Sequence, residues 1–488
     1  MIRIQLIKSD NHKMKKIISV DESISEIDLK KIASNKFGKK IVDIVDENNY
    51  AFEPNTIIED QIFLCSTKNI TKNIKSNEQI QQSIDKIKQI KSVIINVIAD
   101  QSYIPDEAIA QFKRLSKLDD VTHIIGMPDL HKGHIPVGCV VITSNRVYPE
   151  LIGTDIGCGM MLTKINMDMN NLTPRKLEKI SQSLNLEYSL FDSIIDVEPL
   201  ILSNLMNDSI DDLIKYGNFI NSHNNSLGTI GGGNHFAELQ KIHEIIDLEL
   251  ANKFYLDINS SYLTVHSGSR DFGTSIIDKL NTNQINISEY EILHNLALKW
   301  AKLNRQFIAN KFIQQLNSNS SIQITSEQII DLTHNYFERI SSTTSTDTIN
   351  SVQSNMIIHR KGAINSSVST PLIIPGSRGS LTYVVIGTNS DITNGYSISH
   401  GAGRKLSRTD AYTKANTKTE FDRQFCFKSD HNISNIVICE SKDLLYEEAS
   451  FAYKDIDVVI ADLVKFGLIK VICTLEPLIT YKLKNKCC

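Results

Sequence analysis

Leu151–Met160, LIGTDIGCGM, is the stretch around which the rest of the chain reads. Apolar Leu151 and Ile152 lead into a turn where Asp155 and Cys158 stand three positions apart among Gly153, Gly157 and Gly159. Glycine permits backbone geometries and close approaches that a side chain blocks, so both groups can face one point. A carboxylate beside a thiolate mixes hard and soft donors, which suits a first-row transition metal better than magnesium or calcium. On this stretch alone the plainer reading is structural, with Cys158 acting as a small buried hydrophobe. The weight for a metal comes from farther along.

From Val121 onward short β-rich runs alternate with loops dense in Gly, His, Asp and Asn. HIIGMPDLHKGHIPVGCVV (123–141) sets Asp129, His131, Lys132 and His134 between two strands. LGTIGGGNHFAELQ (227–240) runs a glycine loop into Asn234, His235 and Glu238, and YLTVHSGSRDFG (262–273) is a strand ending in His266. Ser288–Ile313 reads as a helix with Ser288 and Glu291 spaced as a capping box. Glu327–Ile340 reads as a second helix, carrying His334 and Asn335, which makes His334 the weakest ligand candidate. Asp155, Cys158, His235, His266 and His334 are five donors, too many for one tetrahedral site with an open position. A dinuclear site bridged by the thiolate fits better, since two ions about 3.5–4 Å apart stabilise the attacking and leaving oxygens of a phosphoryl transfer. Mn²⁺, Fe²⁺, Co²⁺ and Zn²⁺ all suit this donor set.

SISHGAGRKLSR (397–408) is a glycine loop entering a helix, with His400 among small residues and Arg404 four positions on. Neutral imidazole is a competent nucleophile towards phosphorus. Arg404, Arg270, Arg378 and Lys482 offer charge for phosphates, and the backbone amides of Gly401, Ala402 and Gly403 offer a cradle. The competing reading is a packed histidine at a capped helix.

A length of 488 residues predicts two or three units. The net charge of -4 gives no global attraction to nucleic acid, so any RNA contact needs a local positive field. Eight scattered cysteines fit a reducing compartment. No apolar run reaches the ~18 residues of a membrane span, and lysines interrupt the N-terminal apolar run where a signal peptide would need it unbroken. A cytoplasmic enzyme is the expectation, with the nucleus left open. Residues 1–68 read β-β-α-β-β and resemble a ubiquitin-like β-grasp module, either packed on the main body or docking a protein partner. Residues 69–90 read as a polar linker and the start of a helix over Gln79–Asp100, and 91–488 as the catalytic domain. Arg360-Lys361 is the local basic pair favoured for RNA phosphate contact.

Taken in order, MPDLHKG, GTDIGCGM, GGGNHFAELQ, HSGSRDFG, RKGA, PGSRG and SHGAGRKLSR resemble RtcB-type RNA-splicing ligases over roughly Pro105 to Lys482. The resemblance implies an α+β (mixed α/β) fold with a central cleft. It implies an enzyme that joins RNA 2′,3′-cyclic phosphate or 3′-phosphate ends to 5′-hydroxyl ends with GTP and two Mn²⁺ ions. By it, Cys158 bridges the two ions, Asp155 and His235 complete one, and His266 and His334 the other. His400 attacks the GTP α-phosphorus and carries GMP to the RNA 3′-phosphate. Glu238, Tyr453 and Lys482 contact guanine; Asn234, Arg270, Asn335, Ser377 and Gly403 hold phosphates; Thr382 also belongs to the nucleotide site. Water activated at the same metals opens the cyclic phosphate.

The chain departs from the family pattern at Asp271-Phe272, at Arg378 where Met is usual, and in its ending LEPLITYKLKNKCC. The ending looks more like the bacterial subgroup coupled to release factor H and implicated in ribosomal RNA repair, while tRNA fragments are the other expected substrate. Two other functions compete. A dinuclear-metal phosphatase or cyclic phosphodiesterase would need Cys158 and the histidines but not His400, Glu238 or Lys482. A non-catalytic RNA-end binding protein would need no intact ligand set.

Overall fold

The computed structural model describes residues 2–8, 11–20, 24–46, 62–67, 93–167, 173–186, 219, 222–318, 324–342, 354–366, 368–417 and 435–483. The chain divides into two compact units, Met1–Ser92 and Val93–Cys488.

The first unit holds β1 (Ile2–Lys8), β2 (Asn11–Val20), α1 (Glu26–Phe37), β3 (Asp43–Asp46) and β4 (Ile62–Ser66). Its sheet runs β2-β1-β4-β3, with β1 antiparallel to β2 and parallel to β4. Strand alternation turns Ile4 and Leu6 to one face, and helical spacing turns Leu29, Ala33 and Phe37 towards it. α1 starts where the Ser25 hydroxyl accepts the Asp28 N–H at 3.1 Å, and it ends at Gly38.

The second unit opens with β5 (Ile94–Val97), α2 (Asp106–Leu115), β6 (Val121–His131), β7 (Val137–Thr143), α3 (Pro149–Ile152), β8 (Gly159–Ile165) and α4 (Pro174–Ser183). Next come β9 (Phe236–Ile245), α5 (Leu248–Lys253), β10 (Ser261–Ser267), α6 (Asp271–Asn281) and α7 (Ile287–Ser318). The remaining strands and helices are β11 (Ser326–Thr333), β12 (Asn335–Ser342), β13 (Ser354–Lys361), β14 (Ala363–Asn365), β15 (Pro371–Pro375), β16 (Thr382–Gly387), β17 (Ser397–Ser399), α8 (Arg408–Asn416), β18 (Ile436–Cys439), α9 (Lys442–Glu447), α10 (Ile456–Lys465) and β19 (Ile469–Leu483). One sheet runs β11-β8-β10-β9-β19-β16-β15, with β18 beside β19. A second runs β12-β13-β7-β6-β5, and β14 pairs with β17. The architecture is α+β. No helix among the described residues is long and apolar enough to cross a membrane.

Three expectations need correction. Glu327–Ile340 is not a helix: β11 pairs with β8 and β12 with β13, and the break between them falls on His334. The run is rich in β-branched and aromatic residues (Ile329, Ile330, Thr333, Tyr336, Phe337), and pairing partners outweigh its helical spacing. The helix expected over Gln79–Asp100 is a strand at Ile94–Val97, parallel to β6; residues 79–92 lie outside the described residues, as does the linker at 69–90. The capping box of α7 is formed by Asn286 and Glu289, not Ser288 and Glu291. The Glu289 N–H reaches Asn286 Oδ1 at 3.0 Å and the Asn286 N–H reaches Glu289 Oε2 at 3.2 Å. Glu291 instead pairs with Arg339 at 2.6 Å.

α7 is 32 residues long and carries Trp300, Ile308 and Phe312 into the core beneath the larger sheet. Asn304, Arg305 and Lys311 are equally buried. Buried polar groups require partners, and these three find theirs on β10 and β11 and in the glycine loops beside them.

Candidate active site

The N-terminal end of β8, the C-terminal end of β10 and the β11–β12 break converge. β10 and β11 flank β8, with His266 opposite Met160 and Thr333 opposite Gly159. The His334 N–H donates to the Cys158 carbonyl at 2.9 Å. His334 is therefore not an isolated histidine on a helix face; it sits where the two sheets part. Gly268, just past β10, runs so close to Asp155 that a Cβ there would lie 2.1 Å from its Oδ1.

Five side chains meet at this junction as two groups of three that share Cys158: Asp155, Cys158 and His235, and Cys158, His266 and His334. Within each group the donor atoms lie within 4.8 Å of one another. Cys158 Sγ is 3.3 Å from Nε2 of both His235 and His266, and His235 Nε2 is 3.0 Å from Asp155 Oδ2. His235 donates its Nδ1 hydrogen to the Ile230 carbonyl at 2.9 Å, which leaves the Nε2 lone pair turned towards Asp155 and Cys158. His334 Nδ1 is buried without a partner. Burial first, then neighbouring imidazoles, push His266 and His334 well below the ordinary histidine pKa, so both are neutral donors. Burial works to raise the Asp155 carboxyl, but the adjacent His235, the Cys158 hydrogen bond and the Lys361 charge outweigh it and keep the group ionised. Burial and the Asp155 charge drive the Cys158 thiol well above its usual range. A cation coordinated by that sulfur removes its proton outright. The donor chemistry and the orphaned His334 nitrogen fit transition-metal binding, and the two groups would hold one ion each, with Cys158 offering its sulfur to both.

α7 holds the junction from below. Arg305 donates through Nη1 to the carbonyls of Gly157 (2.9 Å) and Ser267 (3.1 Å), the residues next to Cys158 and His266. Its Nε and Nη2 reach Asp331 Oδ1 at 2.9 and 2.6 Å on β11. Asn304 accepts the Gly228 N–H at 2.6 Å and donates to the Gly268 carbonyl at 3.1 Å. Lys311 donates to the Gly228 carbonyl at 2.6 Å. Arg305→Met would strand Asp331 as a buried carboxylate without its cation. Removing one member of such a pair costs about 3–5 kcal/mol, and chemical denaturation should read a loss of that size; a loss below about 1 kcal/mol would mean the clamp is dispensable.

A cleft of about 290 Å³ opens above the metal donors. His400 lies in its wall, its ring centroid 4.8 Å from that of His334. Asp129 Oδ2 accepts from His400 Nδ1 at 2.7 Å and from the His400 backbone N–H at 3.2 Å. The imidazole is thus held with its Nε2 lone pair free. Gly403 follows at φ +71°, where a Cβ would lie 2.2 Å from the Asp129 carbonyl, so only glycine lets the loop pass. Elsewhere in the cleft wall, Glu238 accepts from Gln240 at 2.8 Å and from Thr480, while Gln240 also donates to Thr382 at 2.9 Å. Burial raises the Glu238 pKa to about 7 and lowers that of Lys482 to about 8. Asn234 and Ser377 also line the cleft.

Several expected contacts take other roles. Arg360 is fully buried and bonds Glu338 (2.5 Å), Tyr336 (2.9 Å), Ser397 (2.8 Å) and the Tyr396 carbonyl (3.2 Å), so it has no face for RNA. Lys361, on the opposite face of β13, reaches the cleft and donates to the Ile152 carbonyl at 2.6 Å. Arg404 gives four hydrogen bonds to protein acceptors, among them Glu448 at 2.9 Å and the Tyr453 hydroxyl at 3.2 Å, and stacks on the Tyr453 ring. It braces Tyr453 while still lining the cleft, and one of its five N–H groups, on Nη2, is not used by these bonds. The Ala402 N–H is taken by the Pro375 carbonyl at 3.1 Å, which leaves the cradle to its glycine neighbours Gly401 and Gly403. Asn335 already holds the Gly362 N–H (3.0 Å) and the Asp155 carbonyl (3.3 Å). Arg270 packs on Gly231 and reaches Thr229 at 3.4 Å. Asp129 and Arg305 have no site role in the sequence reading, yet Asp129 holds His400 and Arg305 anchors the segments that carry Cys158 and His266. Asp129 stood in a quoted motif, but nothing local pairs it with a histidine 271 positions away.

Comparison with known proteins agrees with this geometry. The family model described as "tRNA-splicing ligase RtcB" matches residues 111–198, 202–292 and 279–483. The chain is 32% identical to "RNA-splicing ligase RtcB2" of Escherichia coli over 409 residues, covering 81% of this chain and 97% of that protein. It is 26% identical to "tRNA-splicing ligase RtcB" of Nanoarchaeum equitans, covering 77% and 92%. Identity to "RNA-splicing ligase RtcB" of Escherichia coli K12 is also 26%, covering 74% and 90%. The catalytic unit, built on a thiol shared by two donor triads, thus belongs to the RtcB family of RNA-splicing ligases.

Proposed function

We propose that this RNA ligase joins RNA 2′,3′-cyclic phosphate or 3′-phosphate ends to 5′-hydroxyl ends, using GTP, two Mn²⁺ ions and a guanylylated His400, in tRNA splicing or RNA repair. The observation that carries the reading is the His400–Asp129 bond of 2.7 Å in the cleft beside the metal donors. His400 Nε2 attacks the α-phosphorus of GTP; the new N–P bond forms as the α–β oxygen bridge breaks and diphosphate leaves. The Nδ1 proton stays in place, and the buried Asp129 carboxylate offsets the charge of the substituted imidazolium. The RNA 3′-phosphate oxygen then takes GMP from His400, and the 5′-hydroxyl displaces GMP from the RNA phosphorus. Asp155, Cys158 and His235 would hold one Mn²⁺ and Cys158, His266 and His334 the other, and the ions would supply Lewis-acid neutralisation of phosphoryl oxygens. Glu238 accepts from the N–H edge of guanine, Lys482 donates to it, and Tyr453 gives a stacking face.

Incubation with α-labelled GTP and Mn²⁺, then denaturing electrophoresis, should give a labelled, acid-labile band that His400→Ala abolishes. A folded, metal-loaded protein that takes no label would shift the reading to the phosphatase. Glu238 ionises near pH 7 and Lys482 loses its proton near pH 8, so the charged pair is complete only in that window. Below it Glu238 gains a proton and loses acceptor capacity; above it Lys482 loses its charge. GMP affinity by calorimetry should peak at about pH 7–8 and fall on both sides, with Glu238→Gln removing the acid limb; a profile flat from pH 6 to 9 would remove the pair from base recognition.

A further inference from the structure

Asp129 orients a second imidazole besides His400. Its backbone carbonyl accepts from Nδ1 of His131 at 2.8 Å, while its carboxylate holds Nδ1 of His400. A carbonyl can only accept, so the His131 proton sits on Nδ1 and Nε2 carries a lone pair. His131 is nine-tenths buried, yet it lines the same cleft as His400. Among the described residues none hydrogen-bonds its Nε2. One aspartate therefore presents two imidazole lone pairs, and the guanylylation step uses only one of them.

We propose that His131 is a further catalytic residue, the group that accepts the proton of the RNA 5′-hydroxyl as that oxygen attacks the activated 3′-phosphate. The assignment rests on the ligase reading above. In this step the 5′-oxygen–phosphorus bond forms, the bond from that phosphorus to GMP breaks, and GMP leaves with the electron pair. The hydroxyl proton passes to His131 Nε2 and then to solvent. Burial lowers the His131 pKa to about 4 in the free protein, so the ring is an empty acceptor at neutral pH. The charged and titratable groups acting on it are Asp129, His400 and Lys454, whose Nζ donates to the carbonyls of Pro128 and Leu130 on either side of Asp129. Neighbouring phosphates would raise the ring's basicity once RNA is bound.

The test separates the steps in single-turnover reactions of wild type, His131→Ala and the volume-conserving His131→Gln. Labelled GTP reads guanylylation of His400. RNA already carrying a 3′-linked GMP, mixed with a 5′-hydroxyl acceptor, reads sealing alone. Positioned proton transfer contributes about 10²–10⁴-fold, so sealing by both variants should fall at least a hundredfold while the histidine label forms within about threefold of wild type, and activated RNA should accumulate from a 3′-phosphate substrate. Sealing within tenfold of wild type overturns the proposal, as does an equal loss in both steps, which would make His131 a nucleotide contact or a packing residue. A wild type that never takes the label sinks the ligase reading itself, whatever His131 does.

Discussion

Cys158→Ala is expected to leave the fold intact and empty both metal subsites. The thiol belongs to both donor triads, so its removal takes one ligand from each and leaves Asp155 with His235, and His266 with His334. Two neutral imidazoles make a poor chelate, and Asp155 with one imidazole is hardly better; neither pair retains an ion against dialysis. Wild type should retain two Mn²⁺ per chain by elemental analysis and the variant none. Lewis-acid stabilisation of phosphoryl oxygens is worth several kcal/mol, and each 1.36 kcal/mol is tenfold in rate, so joining should fall by about 10³-fold or more. His235→Ala should behave differently, losing one ion and keeping the Cys158–His266–His334 triad. If Cys158→Ala kept two ions, the shared-thiolate arrangement would be wrong. If it lost only one, the thiol would be terminal and not bridging.

Asp155, Cys158, His235 and His266 were legible in the sequence because their chemistry advertises itself: ligand side chains in glycine loops or at a strand end have few structural uses. His334 was harder. Its flanks carry helical spacing, and only long-range pairing with β8 and β13 turns them into strands and leaves His334 at their junction. Arg360 and Lys361 look alike as neighbours in sequence, yet strand alternation sends one into the interior and the other to the cleft. Arg404 has the charge of a phosphate contact, but acceptors from chain segments near and far take four of its five N–H groups. The polar trio on α7 is the opposite case. Asn304, Arg305 and Lys311 fall among the buried, mostly apolar positions of the helix, a pattern that periodicity alone marks as a defect and that tertiary structure explains as a set of anchors for neighbouring loops and strands.

Asp129→Asn should nearly abolish guanylylation while leaving metal content and melting behaviour close to wild type. The carboxylate can only accept, which forces the His400 proton onto Nδ1 and leaves Nε2 nucleophilic. An asparagine amide can turn its NH₂ to Nδ1 instead, giving up the bond that the same position accepts from the His400 backbone N–H. The imidazole proton then moves to Nε2, and the lone pair that attacks phosphorus is gone. The negative charge facing the guanylylated imidazolium is lost as well. In a serine-protease triad the same exchange costs about 10⁴-fold through the wrong tautomer, and a loss of about 10³–10⁴-fold in the rate of histidine labelling is expected here. Asp129 supplies that charge: burial works against ionisation, but the hydrogen bond from His400 and the Lys454 charge hold the carboxyl below its ordinary range. The sequence of effects is what distinguishes orientation from packing. Asp129→Asn keeps the volume of the side chain, so a structural role predicts a small, uniform loss. An orienting role predicts a collapse of His400 labelling with both metal ions still bound. A labelling rate within tenfold of wild type would release Asp129 from the mechanism and leave the tautomer of His400 to other groups.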